Sequence, residues 1–401
     1  MPDKVEFYLD NQLYKYVESY SLRYDIFSGC AEFQANIDHE TEIILGHDEF
    51  DPMRFSWNIN GQGVMRGLLD SVDKQYGKED ITQSITGRDM CQILTDNDVL
   101  VHNLNLSKGT EMGGVIGDYN DMPIDTIVDH FIKNNKYFTA NGKKYYLPEF
   151  DLNYSEEALK IIRAAGNLKQ VRSSYGESCF QFISRLLNGA GLYIYNTPGT
   201  DQLLIHALNI NGHNYDKFGM ISQKNPISLI HKKDDKSNNN VLTGNYKSSV
   251  KNYYQFFKIV GESDPDVSIP GLSYLFKNTY IVKCQIVNRK TPVKFFSHFL
   301  NHADQSMWNT QKNAIIHNQV FKQLREFCNL KYTVKEHSPF GFDPYYVNSI
   351  VRVEDDFLPN SLNNKNYIVC AVEFVGSKAA GRTTTLELCL PIDKNDIVEV
   401  T

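Results

Sequence analysis

The first hundred residues switch between apolar and polar every second position and are broken every few residues by turn formers, which constrains the fold more than any other feature. In KVEFYLDNQLYKY, Val5, Phe7 and Leu9 alternate with their neighbours, Asp10-Asn11 interrupts, and Leu13 resumes. A period of two lays one face of an extended segment on a core, and Asp and Asn tolerate the left-handed turn that reverses it. The spacing predicts a hairpin. CAEFQANI follows, with Ala31, Phe33, Ala35 and Ile37 on one face. FSWNINGQGVMRGLLDSVD supplies another pair, turning at Asn60-Gly61, with Gly67 at a bulge or tight corner. Short strands joined in this way predict a small β-barrel-like domain over 1–100.

From about Ser84 the period changes. In SITGRDMCQILTDNDV, Ile85 still fits a strand, but Met90, Ile93 and Leu94 stand at helical spacing, with Asp89 or Thr86 available as a cap. SKGTEMGGVIGDYNDMP reads as a linker. PIDTIVDHFIKN is an amphipathic helix with Pro123 at its mouth and Ile124, Ile127, Val128 and Phe131 on one side. SSYGESCFQFISRLLNGAGLYIYN is a helix-to-strand unit: Phe182, Ile183, Leu186 and Leu187 form the apolar stripe, Gly189 and Gly191 end the helix, and Leu192 and Ile194 alternate into a strand. These segments predict an α/β domain over 101–236. It ends at KKDDKSNNN, a polar run without periodicity.

Strand-like sequence returns in YYQFFKIVGE and TYIVKCQIVN. A long helix is expected over about 304–329, with Ile316, Val320, Leu324 and Phe327 in register. NYIVCAVEFVG and GRTTTLELCLP then alternate again, Thr384, Leu386, Leu388 and Leu390 facing one way. The fold class expected is α+β and mostly β: two β-barrel-like modules, 1–100 and 237–401, joined by an α/β region, plus one long helix.

The net charge of -7 and pI near 5.9 disfavour a protein that wraps nucleic acid, since phosphate neutralisation needs concentrated Lys and Arg. The one basic cluster, His231-Lys232-Lys233, runs straight into Asp234-Asp235 and reads as a solvated loop. No stretch approaches the ~18 apolar residues of a membrane span, and the N-terminus lacks a signal-peptide pattern, so neither membrane insertion nor secretion is expected. The seven cysteines are widely spaced, without a C-x-x-C pair, and read as buried thiols of a chain made in a reducing cytoplasm.

Candidate chemistry dissolves on inspection. His298 and His302 in SHFLNH stand at the spacing of zinc-binding histidines on a helix, with His317 or His337 as conceivable third ligands, but Phe299 occupies the general-base position. Gly176 and Ser178 in SYGESCF resemble a nucleophile elbow, yet Phe180 replaces its later glycine, so Ser178 is expected to start a helix. GQGVMRG lacks the Lys-Ser/Thr pair and the following helix of a phosphate loop. Paired carboxylates such as Asp355-Asp356 are not placed by the sequence, and most of the chain's 48 acids are expected to be solvated. The sequence predicts no enzyme, no catalytic residue, no cofactor and no metal.

Four blocks carry a resemblance: GLLDSVDKQYGKEDITQSITGRDMCQILTDND, VRSSYGESCFQFISRLLNGAGLYIYN, YYQFFKIVGE, and VNSIVRVEDDFLPNSLNNKNYIVCAVEFVGSKAAGRTTTLELCLP. In order and spacing the chain resembles the baseplate hub or tail proteins of Mu-like contractile phages, which are related to hubs of other contractile tails and of type VI secretion spikes. Departures are Trp308 amid Gln, Asn and Lys, and a long aromatic SPFGFDPYYVNSIVRV. The resemblance implies a virion baseplate protein assembled in the host cytoplasm, a homotrimer contacting the tail spike, the tail tube and other baseplate proteins. DNA would pass its channel without specific binding. It also implies a structural role, and a possible interface, for Arg88 and Asp89, where a strand turns into a short helix that Asp96 and Asp98 end. The alternatives are a hub of a phage-like bacteriocin or secretion apparatus, and a tail-associated cell-wall hydrolase or esterase.

Overall fold

The computed structural model describes residues 3–38, 53–77, 81–97, 118–134, 137–140, 143–146, 150–173, 176–209, 213–222, 224–234, 238–248, 254–261, 279–284, 295–300, 316, 319–323, 325, 328–338, 343–392 and 396–400. The predicted hairpins form as their turn residues dictate. Asp10 (φ 44°) and Asn11 (φ 66°) reverse Val5–Leu9 into Gln12–Tyr14, and Asn60 (φ 51°) and Gly61 (φ 78°) reverse Arg54–Ile59 into Gln62–Tyr76. Two consecutive left-handed residues match the twist of the flanking strands. In Glu32–Ile37 burial alternates strictly, with Phe33, Ala35 and Ile37 inside.

Gly67 is no bulge. It pairs in register with Phe55 and with Asp89, while the register shifts lie at Trp57/Asn58 and Leu69/Ser71. Its role is close approach, since a Cβ there would lie 2.0 Å from the Arg88 carbonyl oxygen.

The expected pair of barrel-like modules is not present. Among the described residues no sheet closes on itself. One open 13-stranded sheet instead runs through both strand-rich parts of the chain. Its main path is Val241–Ser248, Cys328–Lys335, Gly381–Cys389, Lys365–Ser377, Val17–Asp25, Glu32–Ile37, Ile81–Asp89, Gln62–Tyr76, Arg54–Ile59, Val5–Leu9 and Gln12–Tyr14. The junction is antiparallel, from Ala371 opposite Asp25 to Ser377 opposite Ser19. Lys365–Ser377 changes partner along its length: its first residues pair with Ile350–Asp355, its later ones with Val17–Asp25. Hydrophobic alternation states which face of a strand is buried and is silent about which strand lies beside it.

The core follows this continuity. Phe7 stacks on Trp57 with ring centroids 4.3 Å apart, Phe33 meets Phe55 at 4.3 Å, and Tyr332, Tyr367 and Phe374 belong to the same buried cluster. A second cluster gathers the helices Ile124–Asn134, Glu156–Ala165 and Cys179–Gly189 with the three-stranded sheet of Asp151–Tyr154, Gln202–Ala207 and Leu192–Asn196. Ile124, Ile127, Val128 and Phe131 are fully buried there, as their spacing predicts. Leu192–Asn196 departs from the expected alternation: it is buried on both faces, because helices and sheet enclose it. Of the helix expected over 304–329, residues 316, 319–323 and 325 are helical, and Cys328 and Asn329 already belong to a strand. Leu324, Phe327 and residues 304–315 lie outside the described side chains.

Ser178 starts its helix through a capping box: its hydroxyl accepts from the Gln181 N–H (3.2 Å) and the Gln181 side chain accepts from the Ser178 N–H (3.0 Å). Ser178→Ala is expected to cost about 1 kcal/mol in denaturant unfolding. It is expected to leave any peptidoglycan-release signal of the protein unchanged.

Candidate functional site

Residues 88–97 connect the two cores. Ile81–Asp89 lies in the large sheet, and Met90, Cys91, Ile93 and Leu94 are buried in the helical cluster. The short helix Gln92–Asp96 has Cys91 at its N-cap and no side-chain cap, so Asp89 does not cap it in the usual way. Asp89 does something longer in range. One carboxylate oxygen accepts from the Cys91 N–H (3.0 Å) and the other from the Ala31 N–H (3.0 Å), while the Asp89 N–H donates to the Ala31 carbonyl (2.9 Å). A single buried side chain thereby pins the strand end, the following turn and a segment 58 residues away.

Arg88 works on the outer side. Its guanidinium donates to both oxygens of Asp70 (2.7 and 2.8 Å) and both of Asp96 (2.9 and 2.7 Å). Planar fork geometry makes such paired contacts the strongest form of surface ion pair. The hydrogen bonds to Asp70, then to Asp96, hold the guanidinium above its usual pKa. Asp96 closes the helix and Asn97 follows as its C-cap; Asp98 lies outside the described residues.

Burial raises the Asp89 pKa from 3.8 to about 7, against the backbone N–H donors of Ala31 and Cys91 and the Arg88 charge, which act the other way. The fold therefore binds this proton more tightly than the unfolded chain. The associated stability is complete below the unfolded pKa and is lost as pH rises from about 4 to about 7. Asp89→Asn removes that titration. We expect wild-type stability, measured by denaturant midpoints relative to Asp89→Asn, to decline across this window and to level off above it. Loss of one acceptor makes the variant about 2 kcal/mol less stable at its acid end.

The other candidates come apart in three dimensions. His298 lies in the strand Phe295–Leu300, not on a helix, and His302 and His317 are outside the described residues. His337 is buried and satisfied by Tyr20 Oη (2.7 Å) and Thr384 Oγ1 (3.0 Å), and burial pushes its pKa down to about 4, so it is a neutral core residue. Among the described residues no group of three His, Cys, Asp or Glu could hold a metal ion. Also among them, no helix is long and apolar enough to cross a membrane.

Asp355, which the sequence does not place, is buried and accepts from Tyr332 Oη (2.8 Å) and the Phe357 N–H (2.9 Å); its neighbour Asp356 accepts from the Lys233 N–H (3.2 Å). Cys91, Cys179, Cys284, Cys370 and Cys389 are buried free thiols, and Cys30 is half-buried with its thiol pushed up to about 12 by burial. Sequence reading missed one cluster. Arg325 binds Asp25 through two hydrogen bonds (2.8 and 2.6 Å) and Glu387 through a third (3.0 Å), and Arg23 reaches Glu387 at 3.3 Å. Its members lie up to 364 residues apart, so no local spacing announces it.

A tail protein from Neisseria meningitidis MC58 superposes with a TM-score of 0.67 at 14% identity, over 97% of either chain. The 43 kDa tail protein of prophage MuSo2 from Shewanella oneidensis gives 0.66 at 13% identity, over 99% of this chain and 100% of that one. This chain shares its fold with these two tail proteins. An E. coli component of the type VI secretion system, described as structurally similar to the T4 bacteriophage tail proteins gp27 and gp5, shares the fold more distantly, with a TM-score of 0.53 at 11% identity over 98% of this chain and 79% of that one. No protein-family model matches the chain, and no curated protein matches it in sequence. At these identities it is the fold that is shared.

Proposed function

We propose that the chain is a structural, non-enzymatic hub protein of a contractile phage or prophage tail baseplate, three copies of which form a ring joining the tail tube to the central spike. The observation that carries this reading is end-to-end agreement in fold with two tail proteins of similar length. In this reading the strand-rich segments 1–100 and 237–401 build the ring through their shared sheet, and the α/β segment 101–236 joins them along the chain. Protomer contacts of such a permanent ring bury more than about 2,000 Å². A net charge of -7 suits a channel that DNA traverses without binding.

Assembly takes place in the host cytoplasm and the product resides in the virion. A hub of a phage-like secretion apparatus is the second reading, favoured by the type VI component that shares the fold. Light scattering on the purified chain tests the ring: three copies are expected, and a chain that stays monomeric with its spike added would sink the proposal. Arg88→Ala separates two roles. Its loss is expected to cost about 1 kcal/mol of monomer stability, the size of a partly exposed ion pair. A folded Arg88→Ala monomer that no longer assembles would assign Arg88 to a protomer contact as well.

A further inference from the structure

A small cavity lies between the two cores. Its wall includes Tyr24 and Ala31 from the cluster of the large sheet, Cys91 from the helical cluster, and Cys30, Asp89 and Asn196. Its volume is about 10 Å³, close to the least space that holds one water molecule. A second cavity of about 10 Å³ shares Tyr24 and is walled by Val64, Pro198, Tyr345, Val372 and Phe374 among others. The two are alike in size and differ in the polar groups they meet.

Asn196 ends the strand Leu192–Asn196 and is 2% exposed. Its amide nitrogen is occupied, donating to the carbonyls of Thr200 and Gln202 (3.2 Å each) and so closing the turn to the next strand. Its Oδ1 is buried and has no hydrogen-bond partner among the described residues. Asp89, also buried, accepts one N–H at each carboxylate oxygen, from Cys91 and from Ala31 (3.0 Å each), which leaves each oxygen a free lone pair. The first cavity is thus lined by an orphaned acceptor and a carboxyl group with acceptor capacity to spare. Burying an amide oxygen without a donor is unfavourable, so this wall calls for a small molecule that donates twice. No residue in the wall of the second cavity has an orphaned buried side-chain atom among the described residues.

We propose that the first cavity is a binding site for one water molecule, which donates one hydrogen to Asn196 Oδ1 and the other to the Asp89 carboxyl group. The water ties the end of a large-sheet strand to the end of a strand in the three-stranded sheet, and so belongs to the joint between the cores. The second cavity, lined by apolar and aromatic side chains, stays dry. Water fits this wall better than an ion does. It both donates and accepts, and therefore serves the Asp89 carboxyl group with or without its proton. A divalent cation takes about six or more oxygen ligands. Of the two carboxylates in the wall Asp25 is already held by Arg325, which leaves Asp89 and the Asn196 amide beside two thiols. The site is a property of the single chain and is independent of the ring proposed above.

Water-to-amide NOE and ROE spectra of the isotope-labelled chain test the site. The Cys91 and Ala31 N–H groups both donate to the carboxylate that the water touches. Each should show a water cross-peak with NOE and ROE of opposite sign, the mark of a molecule held far longer than surface hydration. An Asp89 carboxyl proton exchanging with solvent would give a peak at the same frequency. Asp89→Asn has no such proton and keeps one oxygen acceptor, so at least one of the two amides should retain its peak. A crystal structure of the wild-type chain should place one water within hydrogen-bond distance of both Asn196 Oδ1 and Asp89, with nothing in the second cavity, and this reading stands even if the variant fails to fold. Peaks absent from both wild-type amides, or lost from both in a folded Asp89→Asn chain, overturn the site. So does a crystal structure with the cavity empty or filled by an ion with several short oxygen contacts.

Discussion

Gly67→Ala is expected to destabilise the protein by at least about 3 kcal/mol, the upper range for overpacking a rigid site. An added Cβ would lie 2.0 Å from the Arg88 carbonyl oxygen and 2.7 Å from the Asp89 Cα. Both obstacles are backbone. No rotamer change relieves them, so the ladder between Gln62–Tyr76 and Ile81–Asp89 must open where Asp89 pins the two cores together. Gly61→Ala is the control: nothing lies within 4 Å of its Cβ, and only the positive φ of 78° is strained. Its expected cost is about 1 kcal/mol. Equal unfolding midpoints for the two variants in denaturant would show that the close approach has no energetic weight.

Arg325→Ala is expected to cost about 3 kcal/mol, because it takes from two largely buried carboxylates the cation nearest to both and leaves them the longer contacts of Arg23, 3.8 Å to Asp25 and 3.3 Å to Glu387. Asp25 and Glu387 are 17% and 15% exposed in their side chains, and Arg325 is 16%. Burial by itself would raise both carboxyl pKa values. For Asp25 the hydrogen bonds and charge of Arg325 outweigh it, and for Glu387 those of Arg325 and Arg23 do, so both are held below their ordinary values of 3.8 and 4.5. Groups depressed in the fold stabilise it above their unfolded pKa values and lose that contribution as pH falls through the folded ones. The penalty of Arg325→Ala should therefore be full at neutral pH and shrink below about pH 4, as the two acids take up protons. The guanidinium also lies 5.4 Å from the Phe27 ring centroid. Arg325→Met, which keeps much of the stem packing, should lose nearly as much at neutral pH. A penalty independent of pH would mean that packing, and not charge, is what Arg325 supplies.

Local features of this fold were legible where a short window contains its own reason. Asp10-Asn11 and Asn60-Gly61, each set between alternating apolar segments, specify left-handed hairpin turns. Ile124, Ile127, Val128 and Phe131 specify one helix face, and Ser178 with Gln181 specifies a helix start. The same windows offered Gly67 a bulge or tight corner and gave Asp355 no place, because a carbonyl from the neighbouring strand and a tyrosine from another are what give those residues their roles. Arg88 and Asp89 stood out as a charged pair at a change of period, yet their partners Asp70 and Ala31 came only from the folded chain.

The amino-acid order alone determined the strands, their turns, the apolar faces of the helices and the acidic balance, since each depends on bonds and side chains within a few residues. The tertiary structure alone decided that the strand-rich ends of the chain share one open sheet instead of closing separately. A period of two leaves both edges of every strand equally able to pair, and the choice of Lys365–Ser377 as partner for Val17–Asp25 is made by which pairing buries the most apolar surface in three dimensions.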